Sequence, residues 1–156
     1  MIIKDQNGGS LIEFAIVLPL LAILIFGIIE FSILFYNKAM VTNAAREGAR
    51  AGIVFAPVRP SEAELETIIN NYAEAHLINF DQSQLLIKTF QHTDSDNTVR
   101  DVDDAITADV ISSGEPLTVT LNYTYQFLVL PNVLELVKGS FTNTQLISAV
   151  SVMRYE

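Results

Sequence analysis

Two carboxylates in this sequence stand where a carboxylate is costly. Glu13 sits at the mouth of a long apolar run, immediately before Phe14, and Glu30 interrupts the same run farther on. A charge inside hydrocarbon is expensive unless it is paired, so each acid is a functional candidate by position alone. The chemistry open to Glu13 is a charge-assisted contact with a cationic group in a low-dielectric setting. Its simpler alternative is an interfacial carboxylate stabilised by the positive end of a helix. Glu30 has two readings of equal weight, a contact with another subunit or a side chain reaching headgroup water. The separation between the two acids does not put them on one helix face, so they are not a paired-carboxylate site.

Other reactive constellations are missing. His76 falls on an expected helix and His92 beside a loop, neither with a local partner at ligand spacing, so a solvated or packed ring is the reading for each. Asp94, Asp96, Asp101, Asp103 and Asp104 invite a calcium loop, but the glycine and closing glutamate of an EF-hand are absent, which leaves a solvated acidic loop. There is no cysteine, no glycine-rich phosphate loop, no G-x-S-x-G elbow and no H-E-x-x-H. The sequence therefore points away from an enzyme, and it calls for no metal and no cofactor.

The element that must position the two acids is the apolar run itself. From Phe14 to Ile29 no side chain is charged or strongly polar, and after Glu30 apolar character resumes to Tyr36. As a helix, the roughly 23 residues from Phe14 to Tyr36 extend about 35 Å, enough to cross a bilayer with some tilt. Pro19 and Gly27 can kink or loosen that helix while its neighbours satisfy the backbone. A cleaved secretory signal is the competing reading, but no small-x-small site closes the run and the helical pattern continues past Lys38. Charge alone, with Lys4 on one side and Lys38, Arg46 and Arg50 on the other, mildly favours placing the N-terminus outside. Beyond the run, Asn43 to Gly52 continues as helix. Gly48 and Gly52, with Ala44, Ala45, Ala49 and Ala51, form a small-residue surface suited to close approach, either by another helix or by the chain's own sheet. Glu47 can pair with Arg50 on this stretch.

Four pieces in this order, Gly8 with Glu13 and Phe14, the GIIEF around Glu30, the NAAREGARAG of Asn43–Gly52 and the closing MRYE of Met153–Glu156, resemble TadE-like pseudopilins of the Tad (Flp) type IV pilus system. The G-x-x-x-x-E-[FY] arrangement is similar to a prepilin leader. The resemblance implies cleavage between Gly8 and Gly9 by a prepilin peptidase, a step for which glycine offers an extended, unhindered backbone. It implies that Glu13 meets the free amine of a processed Gly9 on a neighbouring subunit during assembly. It also implies a bacterial inner-membrane location with the leader cytoplasmic and the C-terminal domain outside, against the weak charge signal. The implied role is that of a minor pilin that initiates or assembles a pilus through lateral packing of its N-terminal helix. The implied partners are a TadF-type pseudopilin, the major Flp pilin and the inner-membrane assembly platform, with Glu13, Glu30, Gly48 and Gly52 as assembly contacts. The alternative is a permanently anchored, uncleaved scaffold displaying an acidic domain.

The chain of 156 residues carries a net charge of -9, concentrated between Glu62 and Glu115, which disfavours nucleic acid as a partner. Its length accommodates a leader (1–8), a membrane and assembly helix (9–54) and one small domain (55–156). Pro57 and Pro60 break the first helix, and Ser61 with Glu64 forms a capping box for a second that presents Leu65, Ile68, Ile69, Tyr72 and Ala73 and ends near Leu77. Strands are expected at Leu85–Gln91, at Ile106–Ile111 and, most clearly, at Leu117–Phe127, where apolar and polar residues alternate strictly. His92–Asp104 reads as a loop, Leu130–Lys138 as a short helical excursion and Gln145–Arg154 as a last strand. The expected fold is α+β, a long helix lying against a small, mainly antiparallel sheet.

Overall fold

The computed structural model describes residues 7–54, 60–79, 86–93, 97–101, 113–132 and 142–155, with backbone alone for Asn7, Arg100 and Asp101. Helix α1 runs without interruption from Asn7 to Ile53, through Pro19 and Gly27. Helix α2 spans Glu62–His76. Its start is set by the expected capping box: Ser61 Oγ accepts from the Glu64 amide, and the Glu64 carboxylate accepts from the Ser61 amide at 2.8 Å. Two donors that the first turn would otherwise orphan are thereby satisfied.

Among the described residues the sheet has four antiparallel strands in the order β2-β1-β3-β4: β1 Leu86–Thr93, β2 Val99–Asp101, β3 Pro116–Gln126 and β4 Thr144–Arg154. Long β3 is paired along its whole length with β4, from Pro116 opposite Arg154 to Gln126 opposite Thr144. On its other side β3 pairs with β1, from Leu86 opposite Tyr123 to His92 opposite Leu117. The strict alternation read in β3 is a burial pattern: Leu117, Val119, Leu121, Tyr123 and Tyr125 point to the helices, and the intervening residues are half-buried or exposed. In β4 the inward set is Ile147, Ala149 and Ser151, while the outward Leu146, Val150 and Val152 remain exposed, so the weak periodicity of this strand reflects an outer face that is itself apolar.

Both helices lie on one face of the sheet, α1 across β3 and β4 and α2 beside it. The core joins Val41, Ala44, Ala45 and Ala49 of α1 and Leu65 and Ile69 of α2 to Phe90 and the inward side chains of β3 and β4. The loop expected at His92–Asp104 is in part a hairpin: β1 continues to Thr93, and Val99–Asp101 returns on it with Gln91 opposite Asp101. Its turn uses Asn97 at φ 69°, a left-handed conformation that asparagine tolerates. Leu130–Asn132 forms the start of the expected helical excursion. The strand expected at 106–111, the remainder of that excursion and the helix-breaking Pro57 lie outside the described residues.

Candidate functional site

Helix α1 changes character at Glu30. Before it, from Gly8 to Ile29, side chains are exposed or at most half-buried, among them Leu11, Phe14, Leu20 and Leu24. After it, a stripe at Glu30, Leu34, Asn37, Val41, Ala44, Ala45, Gly48, Ala49 and Gly52 is buried, the spacing of one helical face. Among the described residues one helix, Gly8–Ile53, is long and apolar enough to cross a membrane, and its first half is the exposed part.

At its N-terminal end, Gly8 and Gly9 have open space around them, with nothing within 4 Å of an added Cβ. Glu13 is exposed and makes no hydrogen bond or ion pair among the described residues, and Phe14 beside it is also exposed. The structure thus groups Gly8, Gly9, Glu13 and Phe14 on a bare helical end, separated from the folded domain by the uncovered stretch.

Glu30 is in a different situation. It is 3% exposed, and its carboxylate accepts from three successive backbone amides at the end of β3: Leu128, Val129 (3.1 Å) and Leu130 (2.8 Å). Three consecutive N–H groups converging on one carboxylate form an anion cradle that compensates its desolvation. The contact is within the chain, across a separation of 100 residues at Leu130, so neither another subunit nor headgroup water is needed to satisfy Glu30. Phe31, next to Glu30, packs edge-on against Phe127 (6.1 Å between centroids), and a Cβ on Gly27 would stand 4.0 Å from a methyl of Leu130, which extends the clasp by about one turn toward the N-terminus. Burial and the nearby Glu30 charge push the Tyr125 hydroxyl up to about 12, and burial and Tyr125 do the same for Tyr123. Tyr123 donates to Asn79 Oδ1.

Sequence reasoning passed over Asn37, which is fully buried one turn beyond Leu34. Its amide donates to the Ile78 carbonyl (2.9 Å) and accepts from the Ile78 amide (3.0 Å), fastening the end of α2 to α1. A polar residue inside an otherwise apolar stripe was the available signal. Gly48 and Gly52 are likewise occupied by the chain itself. A Cβ at Gly48 would stand 2.6 Å from Ile69 Cδ1, and one at Gly52 would stand 2.5 Å from Leu117 Cδ2. The small-residue surface is therefore the seat of α2 and β3, which was one of its two expected uses.

At the far end of the sheet His92 is packed rather than solvated, with Nε2 3.2 Å from a carboxylate oxygen of Glu115, both buried. Among the described residues no group of three or more His, Cys, Asp or Glu side chains is placed to hold a metal ion.

The fold and these contacts define an α+β protein carried on one long apolar helix, the first half of which has no cover among the described residues. The family model described as TadE-like protein matches residues 8–50, the region holding Gly8, Glu13, Glu30 and Gly48, consistent with a TadE-like, pilin-related protein of the Tad system. No curated protein and no solved structure matches the chain.

Proposed function

We propose that this protein is a minor pilin or pseudopilin that helps to assemble a Tad pilus or related secretion machine from the inner membrane. The observation that carries the reading is the division of α1: the family match includes an apolar half that is exposed, led by a Glu13 that has no hydrogen-bond or ion-pair partner among the described residues. An apolar helix without intrachain cover is stable in lipid or against other helices, and both surroundings serve a subunit that waits in a bilayer and is then packed laterally. In this mechanism prepilin peptidase cuts after Gly8 from the cytoplasmic side. The Glu13 carboxylate then pairs with the new amine of Gly9 on an adjacent subunit, a TadF-type pseudopilin or the major pilin, while the outward domain makes the specific contacts. The chain's own residues supply recognition and packing, and no catalytic step is assigned to them.

The test is the intact mass and N-terminal residue of the protein taken from its native membrane, beside a Gly8→Ala variant. A wild-type chain beginning at Gly9, with the variant keeping residues 1–8, supports the processed subunit. A wild-type chain that retains its leader despite an active peptidase supports the permanently anchored scaffold instead.

A further inference from the structure

The two boundaries on α1 do not coincide. The sheet begins to cover the helix at Gly27–Phe31, through Leu130, the Glu30 cradle and Phe127. On the opposite side of the helix, large exposed apolar residues continue past this point to Phe35 and Tyr36, broken by Ser32, whose hydroxyl donates to the Ile28 carbonyl, and the first charged side chain after Glu30 is Lys38. Tyr36 lies about 9 Å farther along the axis than Glu30. From Leu11, the first exposed large apolar residue among the described residues, to Tyr36 the helix extends about 38 Å, more than the roughly 30 Å of hydrocarbon and close to the 40–45 Å that includes both interfaces. A tyrosine followed by a lysine is the pattern of a headgroup-level boundary. Glu30 and the turn that cradles it then lie below that level.

The turn has the composition such a depth requires. Residues 127–131 read Phe-Leu-Val-Leu-Pro, and Leu128 is 51% exposed at the tip. Nearby, Ile78 is exposed at the level of Asn37, to which its backbone is bonded. Across residues 27–38, 77–79 and 127–132 the only charged side chains are the buried Glu30 and the cationic Lys38. The acids Glu62, Glu64 and Glu115 belong to the other end of the domain, where Leu65 and Leu117 meet Gly52.

Resting on the membrane-spanning reading of α1, we propose that the Phe127–Leu130 turn is a lipid-docking edge: the domain is sunk into the outer headgroup region of the bilayer, with Leu128 inserted toward the acyl chains. The cradle explains how Glu30 is tolerated there. Its charge is satisfied by backbone amides of the turn, and those amides, which lipid could not satisfy, are paired by the charge. The docked turn fixes the domain's height and tilt on the membrane, in contrast to a domain carried clear of the surface on a stalk.

The chain has no cysteine and no tryptophan, so single probes are straightforward. The full-length protein is reconstituted in phosphatidylethanolamine–phosphatidylglycerol vesicles with a fluorophore on Ile25→Cys, Leu128→Cys or Val152→Cys, and quenched by nitroxide-bearing lipid or by aqueous iodide. Val152 is the exposed control at the distal end of β4. The expected result is that probes at positions 25 and 128 are quenched severalfold more by lipid nitroxide than the probe at 152, and that only the last is readily quenched by iodide. Leu128→Trp, read with brominated lipid, repeats the measurement with a smaller change and must agree. If position 25 is lipid-quenched and position 128 behaves like 152, or is shielded from both quenchers by a neighbouring protein, the docking edge is overturned while the span stands. If position 25 is also quenched only from water, the span itself fails and the proposal with it.

Discussion

The two halves of α1 share one continuous backbone and differ in what faces the side chains. From Gly8 to Ile29 the helix is built mainly of Leu, Ile, Val and Phe and is bare; from Glu30 to Ile53 it turns a stripe of small or polar residues to the sheet and is covered. Large side chains in lipid need no complementary partner, whereas a helix laid on a sheet must bring its axis close, and Ala44, Ala45, Gly48, Ala49 and Gly52 make that approach possible. Membership of one helix therefore says little about role. The position of a residue relative to Glu30 says much more.

The largest effect that would sharpen this contrast is expected at the hinge between the halves. Glu30→Ala leaves the amides of residues 128–130 without their acceptor, and should lower the stability of the full-length protein in detergent by about 3–5 kcal/mol, measured by denaturant unfolding. Next comes the seat of α2. Gly48→Val forces branched atoms into space held by Ile69 and should cost about 2–3 kcal/mol, whereas Leu20→Ala in the bare half should leave the unfolding midpoint unchanged.

Alkaline titration separates the halves in another way. Tyr123 and Tyr125 belong to the covered region and have hydroxyls pushed up to about 12. Above pH 10 the unfolded chain releases these protons while the folded one keeps them, so stability present below pH 10 is lost as pH rises toward 12. Tyrosinate absorbance should report ionisation of these two residues together with unfolding, and Tyr125→Phe should flatten that part of the pH dependence. The smallest effect belongs to the rim. Lys88 meets the partly exposed Glu66 at 3.4 Å and Asn70 at 3.1 Å, and Lys88→Met should change stability by less than about 1 kcal/mol in the same unfolding assay.

Much of the fold was legible because it is written locally. The capping box at Ser61 and Glu64, the alternation in β3 and the length of the apolar run each depend on residues a few positions apart, and each appears in the structure where it was expected. What was not legible depends on pairs far apart in the chain. Glu30 finds its donors about a hundred residues away, Asn37 finds Ile78, and His92 finds Glu115 across the β1–β3 pairing, none of which any periodicity encodes. The return of Val99–Asp101 onto β1 was hidden for a related reason. A short edge strand among acids resembles a solvated loop until its partner is known. The residues expected at leader cleavage, Gly8, Gly9, Glu13 and Phe14, lie together on the bare end, while of those expected at assembly contacts Glu13 is exposed there and Glu30, Gly48 and Gly52 are occupied inside the fold.

Two glutamates on one helix stand in different surroundings: Glu30 is bonded within the chain, and Glu13, which the proposed function assigns to a contact between subunits, is exposed. Thermal unfolding of full-length Glu13→Gln and Glu30→Gln, side by side in detergent, tests this difference most directly. Glu13→Gln is expected to melt with the wild type and Glu30→Gln to melt clearly lower, because a neutral amide cannot accept equally from three backbone donors. Equal melting of wild type and Glu30→Gln, or a comparable loss in Glu13→Gln, would contradict it.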